Sequence, residues 1–302
     1  MARTAAARKA AEASAGEAEA QSPGRASDEV AIRKLAIIGG GVMGGAIATR
    51  VVQSGLLPPE RIALSDPDEA RCAELAARLG VATMFDNRVA AAGASTVLLA
   101  AKPQVVPAVM DDLRGHLRLD QLVMSIAAGV ELQTLALGLR HAAIIRVMPS
   151  TPAQVGQSIS AWMATEEVTP AQKAEARAIL GTFGREFEVD QERYLDMVTA
   201  VSGSGPAWIM LMLEAMTDAG VQIGLKREWA YDLALQTMSG SVELARQTGK
   251  HPVELRNMVT TPGGTTAAGL YAMERGGLRA AIAGGILAAY ERCLELGAAA
   301  RK

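Results

Sequence analysis

Leu35-Ala36-Ile37-Ile38-Gly39-Gly40-Gly41-Val42-Met43-Gly44 is the stretch whose reading decides the fold. Four apolar residues read as a buried strand, and glycines 39, 41 and 44 carry the spacing of a tight turn that opens a helix near Val42. Gly39 permits the turn, Gly41 lets the backbone approach a pyrophosphate, and Gly44 lets helix and strand pack closely. The start of the helix then offers free N–H groups and the positive end of its dipole to phosphate oxygens.

Outward from that loop, short β-rich runs alternate with helical stretches. Strands are expected at Lys34–Ile38, Arg61–Ser65, Ser95–Ala100, Leu122–Ile126, Ala143–Val147, Ser158–Met163 and near Glu186–Val189, with helices at Val42–Ser54, Asp68–Leu79 and Pro103–Arg114. Near-continuous apolar strands separated by helices imply a parallel sheet covered on both faces. Beyond it, Gln191–Val201, Pro206–Ile223, Arg227–Gln247, Ala267–Glu274 and Leu278–Ala299 read as helices with no strand among them. The apolar residues of Pro206–Ile223 fall on more than one face, so that helix must be buried on all sides, and a second subunit supplies such burial. The expected fold is α/β: a Rossmann-type doubly wound parallel sheet with a C-terminal all-α dimerisation domain. Residues 1–30 read as a disordered Ala-rich tail, 31–190 as a dinucleotide-binding domain and 191–302 as a helical dimerisation and substrate domain.

Composition narrows the class further. Of 302 residues 50% are hydrophobic, a globular balance, and a net charge of −2 gives no electrostatic case for nucleic acid or a membrane surface. Cys72 and Cys293 have no ligand or redox spacing and fit buried thiols in a reducing cytoplasm. The first thirty residues lack an apolar signal segment, and their acidic residues oppose an organelle transit peptide. His116, His141 and His251 are scattered, with no metal-ligand spacing, and read as surface or capping residues.

Gly39, Gly40, Gly41, Met43 and Gly44 are the candidate phosphate-loop residues. Ser65-Asp66 ends the second strand, and Asp66 there reads two ways: an acceptor for a ribose 2′-hydroxyl, which favours NADH, or part of a turn and cap for the next helix. Ala100-Ala101-Lys102-Pro103 and Ile126-Ala127-Ala128 end two further strands at the same sheet edge and outline the groove for the rest of a dinucleotide, NADPH or NADH.

Three polar turns feed helices farther on: Arg146-Val-Met-Pro-Ser-Thr-Pro-Ala153, Val198-Thr-Ala-Val-Ser-Gly-Ser-Gly-Pro-Ala207 and Val259-Thr-Thr-Pro-Gly-Gly-Thr-Thr266. Any one of them alone reads first as helix capping by serine and threonine, while three such turns beside a nucleotide fold also read as small-anion sites with N–H and O–H donors. With Gly39–Gly44, Ala101-Lys-Pro103 and Ala127-Ala-Gly129, the segments Met148-Pro-Ser-Thr-Pro152, Ser202-Gly-Ser-Gly-Pro-Ala207 and Pro262-Gly-Gly-Thr-Thr266 resemble the pyrroline-5-carboxylate reductase family, in family order across Leu35–Leu294. The resemblance implies reduction of 1-pyrroline-5-carboxylate to proline with NADPH or NADH, in a homodimer or larger homo-oligomer, at a site near the dimer interface. It implies that Thr266 hydrogen-bonds the ring nitrogen and that backbone N–H groups around Gly264, Thr265 and Thr266 hold the carboxylate. It further implies that Glu192 lies near the ring amine, that Val259 lines the pocket and that Asn87 contacts the adenosine. Ser150 and Thr261 depart from the usual asparagine and serine while keeping a polar group.

Two rival readings share the nucleotide fold. A β-hydroxyacid dehydrogenase carries a catalytic lysine on its first long helix, and Pro206–Ile223 has none. A non-catalytic NAD(P)-sensing protein has no need of the Pro262–Thr266 loop.

Overall fold

The computed structural model describes residues 32–300, so the expected tail over 1–30 lies outside the described residues. From Ile32 onward the chain forms one compact unit. Among the described residues eight strands make a single sheet: β1 (Leu35–Ile38), β2 (Ile62–Ser65), β3 (Ala82–Met84), β4 (Thr96–Leu99), β5 (Leu122–Ser125), β6 (Ile144–Met148), β7 (Ser158–Ala164) and β8 (Gly184–Glu188). Their spatial order is β3-β2-β1-β4-β5-β6-β7-β8. Strand order therefore reverses direction beside β1, which opens a crevice outside its carboxyl end, where ligands of such sheets sit.

The helices on this half are α1 (Val42–Gln53), α2 (Glu69–Leu79), α3 (Asn87–Ala91), α4 (Val106–Leu113), α5 (Leu132–Leu139) and α6 (Pro170–Gly181). Side chains alternate across the sheet, so β1 feeds two cores. Leu35 and Ile37 join Ile47 and Val51 of α1, Leu75 of α2 and Ile179 of α6 on one face. Ala36 and Ile38 join Ala90 of α3, Val109 of α4 and Leu135 of α5 on the other. Burial of each large aliphatic side chain contributes about 1.5–3 kcal/mol, and this two-faced burial explains why the strands are continuously apolar.

The sheet is parallel as expected except at one seam. β7 runs antiparallel to β6, pairing Met148 with Ala161 and Ile145 with Ala164. The connection is only a 3-10 turn, Thr151–Val155. A parallel return needs a crossover of a dozen or more residues, which this segment lacks. β8 then follows α6 and lies parallel to β7.

The second half is helical: α7 (Arg193–Val198), a π turn (Thr199–Gly203), α8 (Gly205–Gln222), α9 (Arg227–Thr248), α10 (Pro252–Met258), α11 (Thr265–Arg275) and α12 (Leu278–Ala300). Two helix expectations shift. Pro103–Val105 forms a turn ahead of α4, and the helix expected over Gln191–Val201 gives way to the π turn after Val198. α8 packs along α9, and α12 lies on the π turn and α7. Ile209, Met210, Leu211 and Met216 of α8 are nevertheless exposed, as are Trp229, Leu233 and Leu235 of α9. Among the described residues no helix is long and apolar enough to cross a membrane.

Candidate active site

The glycine loop is held at the carboxyl edge by its neighbours on both sides. Gly39 has φ +106° and donates its N–H to the Ser65 carbonyl at 2.8 Å. A Cβ at Gly39 would sit 2.9 Å from the Ala100 carbonyl and the Ala101 nitrogen, so the loop is wedged between the ends of β2 and β4. A Cβ at Gly44 would collide with the Gly39 carbonyl oxygen, which fixes how closely α1 approaches the turn. Gly41 differs, because a Cβ there meets nothing within 4 Å. Gly39 and Gly44 are thus required by the close packing of turn, strands and helix, and Gly41 leaves open space beside it. Met43 is half-buried and packs against the core beside α1.

Gly41 stands between two clefts. One, of about 370 Å³, is walled by Ser65, Asp66, Asn87, Ala100, Ala101 and Lys102. The other, of about 350 Å³, runs between α1 and α2 and includes Gly40, Gly41, Thr49, Arg71 and Arg78. Asn87 is fixed in the first cleft: its carbonyl accepts from Ser65 Oγ at 2.7 Å and its amide donates to Asp112 at 2.9 Å. Lys102 is exposed at the rim, with Pro103 just beyond it.

Asp66 is buried and fully engaged. It accepts the Gly40 N–H at 2.7 Å, the Asp68 N–H at 2.9 Å and the Arg71 guanidinium at 3.1 and 3.2 Å. The helix cap itself is Asp68, whose side chain accepts the Arg71 N–H. Asp66 instead pins the glycine loop to the start of α2. Its hydrogen bond and charge hold the Arg71 guanidinium above the ordinary arginine range. Burial pushes the neighbouring Cys72 thiol up.

Toward the other end of the crevice, Ile126 N–H donates to the Leu99 carbonyl at 3.0 Å and Ala127 N–H to Ser125 Oγ at 3.3 Å. Ala128 and Gly129 line a third, apolar cleft with Pro103 and Leu296 of α12. Gly129, at φ +74°, lies against Leu296, so the last helix closes onto this turn. Gly203 of the π turn lies against the Met148 methyl group, and the Met148–Pro152 and Ser202–Pro206 motifs are thereby packed together.

Beneath them is a buried ion cluster that the sequence reading missed. Arg146, 3% exposed in its side chain, donates to Glu192 at 2.8 Å and to Asp196 at 2.7 Å. The same Glu192 oxygen accepts the Leu132 N–H at 2.8 Å. The available signal was an arginine inside the apolar run Ile144-Ile145-Arg146-Val147-Met148, since a buried charge requires partners. Burial, then the Asp196 charge, raise the nearby Cys293 thiol. Another expectation fails at His141, which is neither surface nor cap: it is buried, with Nε2 2.7 Å from the Gln121 carbonyl oxygen. His251 does cap α10, accepting from Val253.

Thr261–Gly264 forms a turn closed by Gly264 N–H donating to the Thr261 carbonyl at 3.0 Å, with Gly263 at φ +70°. Proline at the second position and glycine at the third suit this geometry. Gly264 gives α11 no side-chain cap, so the amides of Thr265 and Thr266 begin a helix with donors available. Val259 is 63% exposed, and no residue of Val259–Thr266 lines any of these three clefts. One chain therefore presents the clefts and the Thr261–Gly264 turn separately.

Comparison with known proteins follows this division. The family described as pyrroline-5-carboxylate reductase dimerisation matches residues 192–296, and that described as NADP oxidoreductase, coenzyme F420-dependent, matches residues 34–129. The pyrroline-5-carboxylate reductase of Synechocystis is 46% identical over 264 residues, spanning 87% of this chain and 98% of that protein. The enzyme of the same name from Arabidopsis thaliana is 38% identical, spanning 87% and 95%. Among solved structures, the Coxiella burnetii pyrroline-5-carboxylate reductase aligns with a TM-score of 0.80 at 35% identity, covering 87% of this chain and 98% of the other. The Plasmodium falciparum pyrroline carboxylate reductase with NADP bound aligns with a TM-score of 0.80 at 29% identity, with the same coverage.

Proposed function

The chain belongs to the pyrroline-5-carboxylate reductase family, and we propose that it reduces 1-pyrroline-5-carboxylate to L-proline with NAD(P)H, the last step of proline biosynthesis, in the cytoplasm. The observation that carries the reading is the Thr261–Gly264 turn, which delivers the uncapped amides and hydroxyls of Thr265 and Thr266 at the start of α11. A small carboxylate and a ring nitrogen find their donors there. A β-hydroxyacid dehydrogenase would need a lysine on α8, which has none.

The residues present fit a dinucleotide. Gly41 leaves open space where a side chain would block a pyrophosphate, and the start of α1 supplies N–H donors. Gly39, Gly40, Gly41 and Gly44 hold the phosphates; Asn87, Ala100, Ala101 and Lys102 border the adenosine and ribose; Ile126, Ala127 and Ala128 border the nicotinamide. The bound cofactor supplies the hydride.

The chain's own residues then do the orienting. Amides at Gly264–Thr266 fix the substrate carboxylate, the Thr266 hydroxyl holds the ring nitrogen and Val259 covers an apolar edge of the ring. An imine protonated by water is already electrophilic, so position supplies most of what the protein must add. Glu192 serves the site by holding Arg146 and the Leu132 amide, which sets the Met148 segment.

We read 31–190 as the nucleotide domain and 191–302 as the dimerisation domain. Because Val259–Thr266 is outside the clefts of its own chain, the loop meets a cofactor at the interface of a homo-oligomer. The exposed apolar side chains of α8 and α9 supply the contact surface.

The test is incubation of purified protein with 1-pyrroline-5-carboxylate and NADPH or NADH, with proline measured beside cofactor consumption. Proline formed in step with cofactor oxidation is the expected result. Nucleotide binding without turnover would overturn the reading in favour of a sensor.

A further inference from the structure

The turn that follows β5 is steadied from the helical half of the chain. Ala128, Gly129 and Val130 line the apolar cleft of about 330 Å³, with Pro107 and Met110 of α4 and Thr134 of α5 on its other walls. Open space on that side leaves the turn with few neighbours to hold it. Among the described residues, Leu296 of α12 is the one wall of this cleft that comes from the helical half. A Cβ at Gly129 would stand 3.6 Å from both the Leu296 Cβ and the Gly297 nitrogen, which is van der Waals contact. Gly129, at φ +74°, has no side chain to hold the helix off. Gly297 is buried at this contact, whereas Leu296 is 43% exposed and reaches the cleft.

The flanks of the turn have anchors of their own. Before it, Ile126 N–H is tied to the Leu99 carbonyl across the sheet. After it, Glu192 accepts the Leu132 N–H at 2.8 Å and fixes the start of α5. Between those anchors Ala128 and Gly129 rest on Leu296. The helix that carries Leu296 packs on the π turn, on α7 and on α11, which begins with Thr265 and Thr266. Hydride transfer needs the nicotinamide and the imine carbon in near-attack geometry, and a displacement on the order of 1 Å costs about 100-fold in rate.

We propose that Leu296 is a positioning residue for hydride transfer: it props Gly129 and so holds Ala127 and Ala128 against the nicotinamide. The inference rests on the reductase reading and deepens it, naming a residue that acts through the turn without touching cofactor or substrate.

The experiment is steady-state reduction of 1-pyrroline-5-carboxylate by the full-length protein, wild type beside Leu296→Ala and Leu296→Met. Alanine removes the prop, and methionine keeps an apolar side chain of similar volume. Leu296→Ala should lower kcat about tenfold, a fraction of what a 1 Å displacement costs. Its Kd for NADPH, by fluorescence titration, should stay within about twofold of wild type, since the loss lies in the chemical step. Its primary isotope effect with C4-deuterated NADPH should be at least as large as that of wild type. Leu296→Met should recover most of kcat. Melting temperature and size-exclusion elution should match wild type in both variants. An unchanged kcat in Leu296→Ala overturns the proposal, as does a smaller isotope effect or a methionine variant as slow as alanine. A loss of kcat that follows a lower melting temperature, an altered oligomer or weaker NADPH binding overturns it too. The reductase reading stands in each of those cases. Wild type that binds NADPH without turning over the imine overturns that reading and the proposal with it.

Discussion

Arg146 and Glu192 form a buried ion pair at 2.8 Å, 46 residues apart in the chain, and it joins strand β6 to the first helix of the second half. The same Glu192 oxygen holds the Leu132 amide at the start of α5. Strand β6, helix α5 and the start of α7 therefore share one carboxylate.

Glu192→Ala should consequently lower stability. Removing one partner of a buried pair costs roughly 3–5 kcal/mol, and the remaining Asp196 contact places this variant toward the lower end. Urea denaturation measures it. A loss below about 1 kcal/mol, the scale of an exposed pair, would show that the cluster does not hold the two halves together.

Gly41→Ala and Gly44→Ala should part company. At Gly44 a Cβ strikes the Gly39 carbonyl, so alanine should unfold or strongly destabilise the nucleotide half. At Gly41 the space is open, so alanine should fold with nearly unchanged melting temperature and lose affinity for NADPH and NADH together. A Gly41→Ala protein that binds nucleotide normally would remove the pyrophosphate from this loop.

Much of this was legible in the sequence because the signals are local. The strand, glycine turn and helix of Leu35–Gln53 lie within one short segment, and the long helices α8, α9 and α12 carry sustained helical patterns. What escaped depends on pairings across distance. The antiparallel turn of β7 follows from a short connection whose consequence appears only when β6 is beside it. Arg146 was visible as a charge in an apolar strand, but its partners Glu192 and Asp196 are set by the fold. Asp66 was legible as the residue ending the second strand, with its role left open between two chemistries. Its bonds to Gly40 and Arg71 show how it is used in the fold. The separation of Val259–Thr266 from the clefts of its own chain was also beyond local reading.

Glu175 gives a pH signature unrelated to turnover. It is half-buried, burial pushes its carboxyl up, and a hydrogen bond from Thr96 at 2.8 Å opposes that only in part. The folded state thus holds the proton more tightly than the unfolded state. Stability should fall as pH rises from about 4.5 through the raised folded value, then level off. Melting temperature followed across that window should lose this slope in Glu175→Gln. A slope unchanged in the variant assigns it to other groups.

Thr266→Ala should lower kcat/KM for 1-pyrroline-5-carboxylate by about 100-fold if its hydroxyl bond is made chiefly in the transition state. NADPH affinity, measured by fluorescence titration, should stay unchanged. Equal loss in cofactor binding would place Thr266 in the fold of the loop and outside the chemistry.

The central claim is hydride delivery from a nicotinamide to the imine carbon, and isotope tracing tests it most directly. Protein supplied with 1-pyrroline-5-carboxylate and NADPH deuterated at both positions of nicotinamide C4 should yield proline carrying one deuterium, at C5. Proline without deuterium, deuterium at another carbon, or cofactor oxidation with no proline would contradict the account.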